Sequence, residues 1–297
     1  MANQEEKPAD WKGRTDGLPW MIRSLVAVMK VIDRRVIYVP MAIVVPFYML
    51  FNHKGYKAIY SFFRDRFGFG AFKSFLYVYA NHFRFGQVIV DRYAAYAGKR
   101  FKFQFEGNEL FLSMLSEPEG FVQLSSHIGN YEMVGYSLTS SDKRINGLFY
   151  GGESEVMMDF RRKILSMHNI GLIEVNGSME HIFEMNAAID RGEIVSMTGD
   201  RIFGSTKSLR CRFLGEDASF PMGPYALAVS KSVPIVAVFC MRVKGGYKVY
   251  VRRISAQPEL SARSSMQNMA QTFASELESV IRLYPAQWFN FYDFWKA

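Results

Sequence analysis

Beyond residue 101, short apolar runs alternate with segments of helical periodicity. We predict strands at residues 120–126, 145–150, 193–198, 233–242 and 247–253. Gly245 and Gly246 form a good hairpin turn between the last two strands. Helices are predicted at residues 156–167, 178–191, 224–232 and 260–283. Strands that alternate with helices indicate a sheet covered by helices, so the sequence predicts an α/β fold with a mixed sheet.

The amino-terminal part of the chain contains a long uncharged run. Residues 36–51 carry no charged side chain, and Arg34 and Arg35 directly precede them. The run is shorter than the roughly 20 residues that a straight membrane-spanning helix needs, and Pro40 and Pro46 interrupt it. We therefore expect a membrane-associated helical segment here, and an interfacial or shallowly inserted hairpin is favoured over a clean span.

These patterns divide the chain into three regions. Residues 1–20 form a polar tail with acidic groups, which looks like neither a signal peptide nor a transit peptide. Residues 21–100 are expected to form the helical, membrane-associated region, and residues 101–297 the α/β domain. Export by a cleaved signal is not expected.

The charge and the aromatic content of the chain favour an anionic partner. Lys and Arg number 36 against 28 Asp and Glu, which gives a net charge of +8, and aromatic residues make up 15% of the chain. Within residues 59–87 many aromatic side chains are interleaved with basic ones, a pattern typical of a membrane surface. The alternative is a helical core that uses Phe where Leu is usual. Since no nucleic-acid-binding motif accompanies the charge, nucleic acid is not an expected partner.

The segment that follows the first predicted strand of the α/β domain carries a candidate base. His127 and Glu132 are five residues apart, a spacing that on one continuous helix rotates their side chains about 140° from each other. They can meet if His127 lies in a turn and Glu132 in the first helical turns. An imidazole held by a carboxylate is suited to removing a proton from a hydroxyl. The alternative is a histidine that only caps or packs. The other histidines and the two cysteines show no metal-ligand spacing, so no metal is expected.

Further candidate site residues follow the strand at residues 193–198. Gly199, Asp200 and Arg201 come directly after it, and the carboxyl ends of strands in open α/β sheets face the site. Lys207, Arg210 and Arg212 form a basic cluster that could meet phosphates or an acidic carrier. The alternatives are an aspartate that only shapes a turn beside a solvated arginine, and a basic cluster that is only a solvated strand.

These residues together resemble the bacterial lipid A biosynthesis acyltransferases, the late-acyltransferase branch of the lysophospholipid acyltransferase superfamily. The HX4(D/E) motif of that family matches His127 to Glu132, and its strand-end aspartate with a later glycine matches Asp200 and Gly204. The small-residue helix and the strand with a proline match residues 223–228 and 233–236.

The resemblance implies a glycerolphosphate-acyltransferase-like fold and acyl transfer to a hydroxyl of a lipid acceptor. The donor would be an acyl thioester of acyl carrier protein or coenzyme A, with no other cofactor, at the cytoplasmic face of the bacterial inner membrane. His127 would be the general base, Glu132 its orienting partner, and Arg161 or Arg162 the arginine that family members use. Asp200 would carry over as a structural or substrate-positioning residue, and we expect Arg201, Lys207 and Arg210 to contact substrate as well.

The carboxyl-terminal stretch departs from the family pattern. Family members commonly finish with a tryptophan, a histidine and basic residues, whereas residues 287–295 read QWFNFYDFW. The acceptor is therefore left open between a lipid A-like molecule and another lipid, such as a related glycolipid, an aminolipid or a lysophospholipid. Two competing hypotheses of function are a thioesterase or lipid hydrolase and a noncatalytic lipid-binding membrane protein.

Overall fold

The protein is described by a computed structural model. It describes residues 19–138, 142–150, 158, 159, 161, 162, 165, 169–175, 179–202 and 207–296. Most of the predicted helix at 156–167, together with Gly204 and the first 18 residues, lies outside this described part.

Four helices form the amino-terminal region. They are α1 (Pro19–Val31), α2 (Arg34–Phe51), α3 (His53–Phe67) and α4 (Ala71–Tyr96). The side chain of Asp33 accepts a hydrogen bond from the backbone N–H of Arg35 and so caps α2, and Asn52 does the same for α3 through Gly55. These caps define where one helix ends and the next begins.

The expectation that Pro40 and Pro46 interrupt the apolar run is wrong, because α2 is one continuous helix through both prolines. A proline lacks the N–H that would bond to the carbonyl four residues earlier. For Pro46 that carbonyl belongs to Ala42, and the hydroxyl of Tyr79 on α4 donates to it at 3.1 Å. The partner helix thus replaces the hydrogen bond that Pro46 removes.

Helices α1 and α2 pack against α4 and leave an apolar surface outside. Met29 of α1, Tyr38 of α2 and Ala94 of α4 belong to one buried cluster. On the opposite side of α2, the exposed apolar residues include Val36, Val39, Ile43, Val44, Phe47, Leu50 and Phe51. Among the described residues, α2 is the one helix long and apolar enough to cross a membrane by length and composition, and 11% of that segment is buried.

In the described residues that follow α4, the chain forms a seven-stranded mixed sheet and a separate two-stranded hairpin. The strands are β1 (Phe103–Glu106), β2 (Phe121–Ser125), β3 (Ile145–Tyr150), β4 (Ile170–Val175), β5 (Ile194–Thr198), β6 (Ser208–Phe213), β7 (Glu216–Pro221), β8 (Ile235–Val243) and β9 (Gly246–Ile254). The sheet order is β1-β9-β8-β2-β5-β3-β4, with β8 and β9 antiparallel and the other neighbours parallel. The hairpin is β6 with β7.

Helices cover both faces of the sheet, which confirms the predicted α/β class. The described helices that follow β1 are α5 (Asn108–Ser116), α6 (Val134–Ser137), α7 (Glu180–Asp190), α8 (Gly223–Ser230) and α9 (Ala262–Leu283). Successive residues of β8 alternate between two buried clusters: Phe239 faces the cluster that contains α9, and Cys240 faces the one that contains α5. A strand buried on both faces explains its continuous apolar sequence.

Five predicted strands and the hairpin at Gly245 are confirmed, as are the helices at α7, α8 and α9. The prediction missed β1, α5, β4 and the β6–β7 hairpin. In that hairpin Leu209, Cys211 and Phe213 point inward while Arg210 and Arg212 are exposed. No strand was predicted here, but the exposed arginines fit the alternative that the basic cluster is only a solvated strand.

Candidate active site

The two strands that carry the candidate site residues are direct neighbours. Strands β2 and β5 are parallel, with Ser125 opposite Thr198 at their carboxyl ends. The backbone N–H of Gly199 donates to the carbonyl of Ser125 at 2.8 Å, which continues the pairing by one residue. His127 and Asp200 follow these strand ends at the same edge of the sheet, as predicted for Asp200.

The carboxylate of Asp200 holds the imidazole of His127. Asp200 Oδ1 lies 2.7 Å from His127 Nδ1, and Oδ2 accepts from the backbone N–H of His127 at 3.0 Å and from the Ser126 hydroxyl at 2.7 Å. Burial acts to raise the pKa of Asp200, but attraction and hydrogen bonding from His127, with the charge of Arg201 and the bond from Ser126, hold it well below its ordinary value. The carboxylate is therefore ionised and can only accept hydrogen bonds.

This contact fixes the arrangement of hydrogens on the His127 ring. Because Asp200 can only accept, Nδ1 must carry the hydrogen, and in the neutral imidazole Nε2 is then the acceptor. The His127 side chain is 18% exposed and the Asp200 side chain 1%, so the partner is buried while the ring reaches solvent. The arrangement gives His127 the geometry of a general base that acts through Nε2.

Glu132 has a different set of partners from those expected. Its Oε2 lies 2.9 Å from Arg92 Nε, and its Oε1 accepts from Arg161 at 2.9 Å. Burial acts to raise the pKa of Glu132, but the charges of Arg92 and Arg161 and the hydrogen bonds from Arg161 and Tyr96 lower it. The expected contact with His127 is replaced by the one with Asp200, because the 3₁₀ turn at Tyr131–Met133 places Glu132 against α4.

The loop between His127 and Glu132 passes very close to a neighbouring strand. Gly129 has a φ of +57°, and a Cβ there would lie 2.2 Å from the carbonyl oxygen of Cys240. The same oxygen accepts from the backbone N–H of Asn130 at 2.8 Å. Glycine is thus required here by both the backbone conformation and the close approach.

The carboxyl-terminal segment pairs with this loop. The N–H of Gly129 donates to the carbonyl of Gln287 at 2.7 Å, and the N–H of Phe289 donates to the carbonyl of His127 at 2.8 Å. Between them, the indole N–H of Trp288 reaches Asp200 Oδ2 at 3.4 Å. The stretch that departs from the family pattern is therefore part of the site.

Comparison with known proteins identifies the family of the chain. The profile of the bacterial lipid A biosynthesis acyltransferases matches residues 86–297, more than two thirds of the chain. The chain belongs to this family. A comparison with solved structures finds a similarity to the crystal structure of the 1-acyl-sn-glycerophosphate (LPA) acyltransferase PlsC from Thermotoga maritima. The identity is 10% and the TM-score 0.41, over 84% of this chain and 98% of that one. No curated protein matches.

Membership in the lipid A biosynthesis acyltransferase family makes the protein an acyltransferase of lipid substrates and confirms the resemblance noted from the sequence. The matched region begins within α4 and includes His127, Glu132, Asp200 and the carboxyl-terminal segment. The hypothesis of a noncatalytic lipid-binding protein does not fit an acyltransferase family.

The structure brings some of the predicted residues of this acyltransferase together and leaves others apart. Arg161 contacts Glu132, whereas Arg162 is exposed and pairs with Asp159. Arg201 donates to the carbonyl of Phe289 at 3.0 Å and so lies beside the site. Lys207 and Arg210 are both exposed. The side chain of Arg210 bonds to Ser219 within the hairpin, away from the His127 contacts.

Sequence reasoning missed four residues of the site: Arg92, Tyr96, Ser126 and Trp288. One sequence feature could have pointed to Arg92: it forms a pair of consecutive charged residues with Asp91 inside a long helix. Among the residues that the structure describes, no group of three or more His, Cys, Asp or Glu side chains could hold a metal ion.

Proposed function

We propose that the protein is an O-acyltransferase in which His127 removes the proton from a hydroxyl of a lipid acceptor. The acyl group would come from a thioester of acyl carrier protein or coenzyme A, and no metal or other cofactor takes part. The observation that carries this proposal is the contact between His127 Nδ1 and Asp200 Oδ1, because it leaves Nε2 as the proton acceptor.

The proposed reaction needs one proton transfer in each direction. His127 Nε2 takes the hydroxyl proton while the hydroxyl oxygen attacks the thioester carbonyl carbon, and a C–O bond forms. The C–S bond then breaks, and the leaving thiolate takes the proton back from the imidazolium. Asp200 stabilises the imidazolium during this interval without itself becoming protonated, since its pKa is held low.

Glu132 is proposed to act by organising positive charge beside His127. It is bound by Arg92 and Arg161, both with largely buried side chains. A carboxylate between two guanidinium groups fixes their positions, and Arg161 is the group we propose to contact substrate. Arg201, which donates to the carbonyl of Phe289, is also proposed to contact substrate.

The acyl donor brings negative charge in this proposal. Acyl carrier protein is acidic and coenzyme A is phosphorylated, and the exposed Lys207 and Arg210 offer cations for either one. The acceptor is proposed to be a lipid A-like molecule or a related glycolipid or aminolipid.

The protein is proposed to work at the cytoplasmic face of the bacterial inner membrane. The exposed apolar side of α2 supports contact with lipid, since exposed apolar surface of this extent marks an interaction site. A cleft of about 340 Å³ beside the start of α2 is lined by Arg35, Lys102 and Lys244, which suits contact with anionic headgroups.

The test is to incubate the protein in vesicles with radiolabelled acyl carrier protein thioester, or acyl coenzyme A, and a lipid extract as the acceptor pool. We expect a labelled lipid with the wild-type chain and none with His127→Ala. His181→Ala is the matched control, because His181 lies on α7, outside the site. Labelled free fatty acid as the sole product would instead indicate a thioesterase, and full turnover by His127→Ala would contradict the assigned base.

A further inference from the structure

A second buried carboxylate, outside the reaction described above, lies at the centre of a hydrogen-bonded cluster. Asp91 on α4 is 1% exposed and accepts hydrogen bonds from the hydroxyls of Tyr38 and Tyr247. Arg34 Nε lies 3.1 Å from one carboxylate oxygen and Arg242 Nε 3.4 Å from the other. A carboxylate with this many partners has nearly all its acceptor capacity used, so it is a rigid point in the fold.

One branch of this cluster leads to the loop of the active site. The hydroxyl of Tyr247 donates its hydrogen to Asp91, so its oxygen can only accept from a further partner. That partner is the side-chain amide of Asn130, which donates from Nδ2 at 3.1 Å. Asn130 is buried and lies between His127 and Glu132 in the chain. The charge on Asp91 thus dictates which end of the Asn130 carboxamide faces Tyr247.

Helix α4 reaches the same loop at a second point, one residue further along. Arg92 follows Asp91 and holds Glu132, the last residue of the loop, at 2.9 Å. Asp91, through Tyr247, is therefore linked to Asn130, directly before the 3₁₀ turn, while Arg92 contacts Glu132 within that turn. The other branch of the cluster ties Arg34 and Tyr38, in the first turns of α2, to the same carboxylate.

We propose that Asp91 is a positioning residue for acyl transfer: through Tyr247 it orients Asn130 and so fixes the loop that carries His127. It touches neither the imidazole nor the carboxylate that holds it. The inference rests on the proposed function for its kinetic readout. Since the backbone N–H of Asn130 also donates to the carbonyl of Cys240 on β8, a loop anchored at Asn130 keeps Nε2 of His127 at a fixed distance from the acceptor hydroxyl.

The test removes the hydrogen bonds through Tyr247 and leaves Asp91 paired with Arg34 and Arg242. Tyr247→Phe deletes the hydroxyl between Asp91 and Asn130 and keeps the ring that packs on Phe101 and Phe103. Displacing a reacting group by about 1 Å costs up to about 100-fold in rate, so we expect kcat to fall roughly 10- to 100-fold. The KM for the acyl donor should change less than about threefold, since no donor contact is altered.

Tyr250→Phe is the matched control. Tyr250 lies on the same strand, is also buried, and its hydroxyl bonds to that of Tyr284 instead of joining the cluster. We expect this variant to keep kcat within about twofold. In a double-mutant cycle, the variant with both Asn130→Ala and Tyr247→Phe should lose no more of kcat than Asn130→Ala alone. The reason is that each substitution removes the same hydrogen bond between the two side chains.

A second readout needs no turnover. Backbone amides of residues 129–133 should exchange hydrogen faster in Tyr247→Phe than in Tyr250→Phe, while those of β9 exchange alike in both. Wild-type kcat in Tyr247→Phe, an equal loss in both variants, or additive losses in the cycle would overturn the proposal. If one of these outcomes is found while His127→Ala is inactive, only the positioning role of Asp91 fails and the proposed function is unaffected. If His127→Ala is fully active, the proposed function fails and the exchange comparison still decides the positioning.

Discussion

His127 is held by Asp200, whose carboxylate oxygen lies 2.7 Å from Nδ1 although the two residues are 73 positions apart. They meet because β2 and β5 are parallel neighbours in the sheet and each residue lies two positions after the end of its strand. Glu132, five residues from His127, is instead bound by Arg92 and Arg161. The contact with Asp200 thus sets the tautomer of the His127 ring. Glu132, although closer in sequence, instead holds two arginines in place.

Asp200→Asn should abolish most of the activity. An amide at this position can present an N–H to Nδ1 and so favour the ring form with its hydrogen on Nε2, which cannot accept a proton. We expect kcat to fall by about 10³- to 10⁴-fold with little change in KM. Steady-state kinetics with the labelled thioester measures both constants.

Asp190→Asn is the control for that substitution, because Asp190 pairs with Lys231 on the surface of α7. It should keep wild-type kcat. A wild-type kcat for Asp200→Asn, or a change confined to KM, would show that Asp200 does not orient the base.

Gly129→Ala should cost both stability and activity. A Cβ at Gly129 would lie 2.2 Å from the Cys240 carbonyl, and the positive φ adds strain. Gly98→Ala shares a positive φ but meets nothing within 4 Å, so it isolates the conformational cost, about 1–2 kcal/mol. We expect a larger loss of unfolding free energy in Gly129→Ala by urea denaturation, together with a lowered kcat. Equal losses in the two variants would show that the close approach contributes nothing.

The stability of the fold should decrease in acid because of two carboxyl groups in the site. The folded state holds the pKa of Asp200 and of Glu132 below their ordinary values of 3.8 and 4.5. Below those values the unfolded chain binds protons that the folded chain does not, so stability present at neutral pH is lost as the pH falls. Each group contributes up to about 1.4 kcal/mol per pH unit to the slope of the unfolding free energy against pH.

Urea midpoints between pH 3 and 6 measure this slope. Asp200→Asn removes one titrating group, so its free energy of unfolding should decline less steeply with falling pH than that of the wild-type chain. This holds whatever the stability of the variant at neutral pH. A decline of the same slope in both proteins would contradict the lowered pKa of Asp200.

Charges on the outer side of α2 should release the protein from membranes. Ile43 and Phe47 lie one turn apart on α2, with exposed fractions of 66% and 59%. Replacing both with Glu places two charges on the surface proposed to face lipid, where each costs about 3 kcal/mol at the bilayer centre. We expect less protein to float with anionic vesicles in a density gradient.

Phe183→Glu is the matched control on α7, at 72% exposure. It should float like the wild-type chain. Equal release by both changes, or none by the α2 pair, would place the membrane contact elsewhere.

The sequence predicted most of the sheet and missed the elements with weaker local signals. Strand β8 was found because it is apolar along its whole length, being buried on both faces. Strand β6 was missed because its exposed arginines alternate with buried Leu209, Cys211 and Phe213, and the charges mask the alternation. The four-residue β1 and the nine-residue α5 are too short for periodicity to distinguish from a loop.

The sequence by itself determined which element types form and that His127 and Asp200 each follow a strand, since periodicity and turn residues act over a few positions. The tertiary structure alone decided that these strands are neighbours, so that Asp200 holds the imidazole while Arg92 and Arg161 take Glu132. Strand order depends on which apolar faces are buried together, and that is a property of the whole core. The same long-range packing joins Asp91 to Asn130 through Tyr247.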